Sequence, residues 1–215
     1  RAGIGSAIPA DETIFAMKKV GDAMSTSLKE TAEGGLAATP TGQKLYEQVF
    51  GTAPAAGAIP TGTPGAHGGN MDCKRIGVGA TLYLPVAAEG ALLAMGDLHA
   101  VMGDGEVVVC GVEIAGRVTV RVTALHDCPL PTPFLATEMA FMTISSGDTL
   151  ESAAADATLR MRTLLIDQVG MEEHEAGMLL SVAGDVRVCQ MVDPQVTCRM
   201  EVPMAVAAAY GYRLP

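Results

Sequence analysis

Tryptophan is absent from this 215-residue chain, and phenylalanine and tyrosine together supply only 4% of it. An interior built from large rings is excluded, so any core must be packed from Ala, Val, Leu and Met. Long apolar runs are also missing: Gly, Asp, Glu or His interrupts each apolar stretch within about ten residues, whereas a membrane helix needs roughly 20. The first residues carry no basic segment followed by an apolar one, as a secretory signal would. Positive charge is scarce, with 14 Lys+Arg against 24 Asp+Glu and a net charge of −10. That balance excludes affinity for a polyanion backbone, and with it nucleic acid as a partner. The five cysteines are odd in number, widely spaced and without a C-x-x-C pair. Neither a disulfide framework nor a thiolate zinc knuckle is expected, and the thiols read as reduced core residues. A cytoplasmic protein with no membrane partner is the expectation. The first residue is Arg1 rather than Met, which leads us to expect a missing upstream segment.

What is present is a chain 49% apolar and 18% charged, enough to bury the core of one sizeable domain or two small ones. Asp11 can cap a helix in which Ile14, Met17, Met24 and Leu28 recur at helical spacing, ended by Gly34 and Gly35. A short helix is expected over Gln43 to Phe50. From Gly51 to Gly69 the chain turns to Gly, Pro, Ala and Thr, as a linker or wrapped loop does. Residues 1–50 are thus a helical N-terminal segment and 51–215 the main region, with a subdivision near residue 145. Strands are expected over Thr81 to Val86, Ala91 to Met95, Glu106 to Ile114 and Arg117 to Thr123. In the last, Val118, Val120 and Val122 alternate with polar residues. Asp148, with Glu151 three residues on, can cap a helix whose buried stripe is Leu150, Ala154, Ala157, Met161, Leu164 and Leu165. A further helix over Glu172 to Ala183 and strands over Asp185 to Met191 and Val196 to Val202 complete the pattern. The fold class is α+β, a β-rich central barrel or sandwich with a C-terminal mixed helix and strand region.

Between Arg75 and Arg117 there is no Lys or Arg, yet the interval holds Glu89, Asp97, Asp104, Glu106 and Glu113, with His99 among them. Such a concentration of acids in apolar strands calls for a cation. Asp97 and His99 stand two apart, so in extended chain they leave the same face. Asp104 and Glu106 repeat the spacing, and glycines at 96, 103 and 105 permit sharp turns and close approach to a ligand. His67, Asn70 and Asp72 add an imidazole, an amide and a carboxylate upstream. Mixed imidazole and carboxylate donors suit a catalytic divalent ion, zinc foremost.

Plainer readings stand beside these. Asp104 between two glycines is equally a turn residue. Glu113 in an apolar run needs a partner or a proton. His126 and His174 lie outside the cluster and read as structural or solvated, Met17 and Met24 as core filler. No cysteine has a histidine beside it in sequence, which weakens a thiol nucleophile.

At these residues the sequence resembles the acetamidase/formamidase family. The shared segments are Pro60-Thr61-Gly62-Thr63-Pro64-Gly65, His67-Gly68-Gly69-Asn70-Met71-Asp72, Leu84-Pro85-Val86, Gly96-Asp97-Leu98-His99-Ala100, Met102-Gly103-Asp104-Gly105-Glu106, Gly111-Val112-Glu113, Cys189-Gln190 and Val192-Asp193-Pro194. The resemblance runs from about residue 51 to the C-terminus. It implies a β-rich mixed fold, hydrolysis of short linear amides such as acetamide or formamide, a metal-assisted reaction and a homo-oligomer. The first fifty residues depart from that pattern. There, Ile8-Pro9-Ala10-Asp11-Glu12, Met17-Lys18-Lys19-Val20-Gly21 and Lys29 to Ala37 resemble the C-terminal tail of iron-sulfur L-serine dehydratases. That tail carries no cluster cysteines, and no iron-sulfur centre is expected.

The expected roles follow. Asp72, Asp97 and His99 bind the metal, and Glu106 is the general base for the attacking water. His67 and Asn70 position the small amide substrate, with Asp104 a further catalytic candidate and Gly69 and Glu113 at the substrate. The alternative is a catalytically incomplete unit that only binds or oligomerises. A serine dehydratase fragment ranks last.

Overall fold

A computed structural model of the protein describes residues 62–215. The helices expected at Asp11–Gly34 and Gln43–Phe50 lie outside the described residues. Backbone packing divides the chain into Arg1–Pro60 and Thr61–Pro215, and the described residues belong to the second unit.

This unit is built on one antiparallel sheet. In chain order its elements are β1 (Thr81–Tyr83), β2 (Phe134–Ala136), β3 (Ala140–Gly147), α1 (Leu150–Asp167), α2 (Glu173–Ala183), β4 (Asp185–Gln190), β5 (Val196–Pro203) and α3 (Met204–Ala209). The strands lie in the order β1-β2-β3-β5-β4. The class is α+β, as the sequence leads one to expect. Where a barrel or sandwich was the sequence expectation, the described residues form a single five-stranded sheet.

The sheet is covered on both sides, because its central strands are apolar on both faces. Phe134, Phe141, Met200 and Val202 pack with Ala157, Met161, Leu164 and Leu165 of α1. The alternate residues Leu135, Met142 and Ile144 pack instead with Met71, Cys73 and Cys189. That second layer is loop, not helix. It is this loop layer that carries the acidic residues. The five cysteines are free thiols; Cys73, Cys189 and Cys198 are buried, and Cys110 and Cys128 half-buried.

Helix α1 begins one residue later than the sequence predicts. Thr149 is the N-cap and exchanges hydrogen bonds with Ser152, so the capping box uses these two residues in place of Asp148 and Glu151. Ala157, Met161, Leu164 and Leu165 are buried as expected, but Ala153 takes the place of Ala154 and Leu150 is exposed. Residue 145 lies inside β3, which pairs with β5 along its whole length.

Three expected strands do not form. Ala91 to Met95, Glu106 to Ile114 and Arg117 to Thr123 are loop: Ala91, Leu92, Glu106 and Val109 have positive φ and Val107–Val108 form a turn, with isolated bridges at Gly105 and Glu113. Their apolar alternation is real, yet strand pairing needs a neighbouring backbone, and over these segments the described residues supply only those bridges. The reverse error occurs at β2 and β3. Their residues Phe134 to Ala136 and Phe141 to Ser145 are buried without interruption, so no alternation marks them.

Candidate active site

The acidic residues converge where three loops meet the end of β4. Ligand atoms of Asp72, Asp97 and His99 lie within 4.8 Å of one another, and so do those of Asp72, Glu106 and Asp193. Asp72 belongs to both sets. The carboxylates come from separate stretches of chain around residues 72, 97–106 and 193, and local hydrogen bonds present Glu106 and Asp193.

Asn70, Asp72, Asp97 and Glu106 all have positive φ, at 45°, 44°, 63° and 44°. Non-glycine residues seldom occupy this region, and each such position costs of order 1–3 kcal/mol unless its surroundings impose it. For Asn70 and Glu106 the surroundings are hydrogen bonds. Asn70 donates to the carbonyl of Gly62 at 3.0 Å and to Asp193 Oδ2 at 2.8 Å. Glu106 is placed by its neighbour Gly105, whose N–H donates to the Cys189 carbonyl and whose carbonyl accepts from Met191 N–H. A register shift between Val188 and Gln190 opens the end of β4 for that bridge. Asp193 is held by Gln190, which is fully buried. The Gln190 Oε1 accepts from the N–H groups of Val192 and Asp193, while its Nε2 donates to Gln195 O and Thr197 Oγ1.

Asp104 has a different setting from Glu106. Its two oxygens accept from Arg199 at 2.8 and 3.0 Å, a bidentate fork, and Lys74 Nζ stands 3.1 Å away. Arg199 is wholly buried across the sheet and also donates to Glu201 at 2.6 Å, which Arg75 pairs from the other side. Burial works against the ionised Asp104, but the bonds from Arg199 and Lys74 hold its carboxyl below the usual range. Asp104 thus anchors the loop that bears Glu106.

The remaining carboxylates lack this support. Among the described residues, no lysine or arginine pairs with Asp72, Asp97, Glu106, Glu113 or Asp193. Burial, reinforced by the charges of Asp72, Asp193, Asp97 and Glu113, pushes Glu106 up to about 8. Burial and the charge of Asp72 push Asp193 up to about 7, against the opposing hydrogen bond from Asn70. Asp72 is raised as well, by burial and then by Asp97.

His99 stands at the centre. Its Nε2 lies 2.9 Å from Glu113 Oε1, 3.2 Å from Asp97 Oδ1 and 3.9 Å from Glu106 Oε1. None of these has hydrogen-bond geometry, and Nε2 is buried without a partner among the described residues. An imidazole nitrogen aimed among three carboxylates but bonded to none fits a donor to a cation. Gly111 leaves room for the ring: a Cβ there would fall 2.8 Å from His99 Cγ.

The sequence thus pointed to Asp72, Asp97, His99, Glu106 and Glu113, which meet in space. Asn70 joins them through Asp193. His67 folds over Gly69 on the same loop, where a Cβ on residue 69 would come 2.6 Å from its Nε2; it is exposed. Asp193 was not singled out, although it lies in the quoted Val192-Asp193-Pro194 segment. The signal was an acidic residue three positions after a glutamine able to hold the turn.

Comparison with known proteins places this geometry. A model described as the Acetamidase/Formamidase family matches residues 3–208, a wider span than the quoted motifs cover. The crystal structure of an acetamidase from Bacillus halodurans is similar, with a TM-score of 0.70 and 50% identity, covering 74% of this chain and 54% of that one. A formamidase of Methylophilus methylotrophus is 35% identical over 132 residues, 58% of this chain and 32% of the relative. An L-serine dehydratase alpha chain of Peptoniphilus asaccharolyticus is 50% identical over 44 residues, 20% of this chain and 15% of the relative. The chain therefore spans about half the length of the acetamidase structure and a third of the formamidase. The family match covers nearly all of the sequence, and the chain belongs to the acetamidase/formamidase family.

Proposed function

We propose that this chain carries the metal-binding and basic half of an amidohydrolase centre that cleaves short linear amides to a carboxylate and ammonia. The observation that carries the reading is the buried, unbonded Nε2 of His99 among carboxylates that no lysine or arginine among the described residues pairs. Asp72, Asp97 and His99 would hold a divalent ion, zinc foremost, with Asp193 and Glu106 within reach of the Asp72 side. Such an ion supplies Lewis acidity, polarising a carbonyl and lowering the pKa of water toward 7.

The residues of the chain do the rest. Glu106, buried and poised near neutral pH, takes the proton of the attacking water and can return it to the departing ammonia. Both N–H groups of Asn70 are committed, so what it offers an amide is its Oδ1, an acceptor for the substrate N–H. Gly68 and Gly69, on the His67 loop, are the close-packed positions of that loop: a Cβ there would come 2.2 Å from Leu84 Cδ2 and 2.6 Å from His67 Nε2.

The net charge of −10 and the free cysteines support a cytoplasmic setting without nucleic acid. Among the described residues no helix is long and apolar enough to cross a membrane. We place the homo-oligomer with the same reading. A second reading, a unit that binds but is catalytically incomplete alone, is favoured by the exposure of Asp97 and Glu113, 50% and 57%, at the rim of the site.

The test is ammonia release from acetamide and formamide by the zinc-loaded protein, with bound metal measured on the same sample. Glu106→Gln should lower turnover about 10²- to 10⁴-fold with zinc still bound. Unchanged turnover in that variant would remove Glu106 as the base, and no metal uptake by the parent would remove the metal.

A further inference from the structure

Two of the five cysteines touch. Cys73 and Cys189 share the apolar layer on the loop-covered face of the sheet, packed with Leu135, Met142 and Ile144, and their thiols are hydrogen-bonded to each other. The buried Arg199 donates from Nη1 to Cys189 Sγ at 3.6 Å. Cys198 donates instead to the Leu150 carbonyl, and Cys110 and Cys128 are half-buried in loops.

The backbone sets this pair at the root of the carboxylate site. Cys189 is the extra residue of the bulge in β4: Val188 pairs with Cys198 and Gln190 with Thr197, so Cys189 has no partner on β5. Its carbonyl accepts from Gly105 N–H at 2.9 Å, and Gly105 immediately precedes Glu106. Cys73 directly follows Asp72. One thiol is therefore a single residue from a carboxylate of the site, and the other belongs to the residue that holds the Glu106 loop. Two thiols in contact beside a guanidinium, with no part in amide hydrolysis, have the setting in which a disulfide forms. Among reduced intracellular thiols such a bond is transient and redox-sensing.

We propose that Cys73 and Cys189 are an oxidation site for hydrogen peroxide, and that the disulfide made there displaces Asp72 from the carboxylate site. Cys73 reacts first, because it keeps 6% of its surface whereas Cys189 keeps none. Its sulfur displaces water from the peroxide, breaking the O–O bond and leaving a sulfenic acid. The Cys189 sulfur then displaces a second water as the S–S bond forms. The two thiols give up two electrons and two protons, and one peroxide becomes two waters. The new bond holds the sulfurs about 2 Å apart, on the order of an ångström closer than hydrogen-bond contact. Asp72 moves with Cys73, whereas ligating groups must stay within about 0.5 Å of their working geometry. Because Asp72 is common to both sets of converging donors, its shift reaches both.

The disulfide is independent of the amidase reading; its effect on zinc rests on that reading. The full reduced chain, freed of metal, is treated with equimolar hydrogen peroxide and digested without reductant. The expected product has lost two hydrogens, with the Cys73 and Cys189 peptides joined and Cys110, Cys128 and Cys198 still open to alkylation. Its zinc affinity by calorimetry should fall about 10- to 100-fold, and dithiothreitol should restore it. Exchange of the Gly105 amide should quicken at least tenfold, a readout that needs no metal. Cys73→Ser and Cys189→Ser should each keep the parent's zinc affinity and lose its sensitivity to peroxide, and the peptide map of the parent decides the site should either variant fail to fold. Peroxide consumed at Cys110 or Cys128 with 73 and 189 unlinked would overturn the proposal. So would a linked protein whose zinc affinity and Gly105 exchange match those of the reduced form. A reduced protein that takes up no zinc would count against the metal reading alone, because the peptide map and the exchange rate still decide the disulfide and its effect.

Discussion

Glu106 is a buried carboxyl that prefers its proton when no cation is nearby. In the unfolded chain a glutamate titrates near 4.3, whereas folding raises this one to about 8. Below the unfolded value both states are protonated and the group has no effect on stability. Between the two values the folded state binds more protons, so stability declines as pH rises, and the penalty is complete above about 8. Asp193, raised to about 7, adds to the same slope. Urea unfolding of the metal-free protein should therefore give a lower midpoint at pH 8.5 than at pH 5.5, and Glu106→Gln should flatten the difference. A midpoint that rises over that interval would contradict the arrangement.

Gly111 is a second residue-scale test, because its role is steric. A methyl group there meets His99 Cγ and Nδ1 at 2.8 and 2.9 Å, and the ring must turn away. Gly111→Ala should reduce zinc affinity at least tenfold by calorimetry while shifting the melting temperature little. At this scale the sequence was most informative for groups near glycine: the spacing of Asp97 and His99, and of Glu106 after Gly105, is readable without a structure. Asp193 was not, since it reaches the cluster only through the turn that Gln190 holds, over 120 residues from Asn70.

Among the elements, β5 carries the heaviest electrostatic role. Arg199 sits at its centre, buried, with Asp104 on one side and Glu201 on the other. Removing the guanidinium leaves Asp104 with Lys74 alone and Glu201 with Arg75 alone, and breaking a buried pair from one side costs about 3–5 kcal/mol. Arg199→Met should lose about that much in urea unfolding, and Asp104→Asn placed on top of it should recover part of the loss. No recovery would mean that the Asp104 fork contributes little. In Val196 to Val202 the apolar residues Val196, Cys198, Met200 and Val202 alternate with polar ones, which marks two faces. The structure buries both, because loop 71–73 covers the face that α1 does not. The amphipathic stripe of α1 was legible since a helix shows its period to a single core. Strands β2 and β3 were not, being apolar on both faces, and Val118, Val120 and Val122 were read as paired strand because alternation reports a tendency and not a neighbour.

At the scale of the molecule, the site joins distant parts of the described unit. Asp72 precedes β1, whereas Asp193 lies between β4 and β5, and four of the five strands separate them in sequence. A cation held by both should therefore stabilise the entire sheet. With zinc at 100 times its dissociation constant the gain is about 2.7 kcal/mol, read as a rise in melting temperature that EDTA reverses. A local effect on loop 97–113 alone, with the global transition unmoved, would place the ion elsewhere.

The turn from β4 into β5 serves two masters. Gln190 grips the Asp193 loop from the end of β4, and nine residues later Arg199 grips Asp104, while the Cys189 carbonyl receives Gly105. Lengthening this hairpin by one residue would carry Arg199 to the opposite side of the sheet, since successive side chains alternate. Relatives with altered active-site chemistry should accordingly tolerate insertions in the Gly77–Gly79 bend or after α2, but keep the spacing from 189 to 199 invariant. It acts as a ruler for the fold.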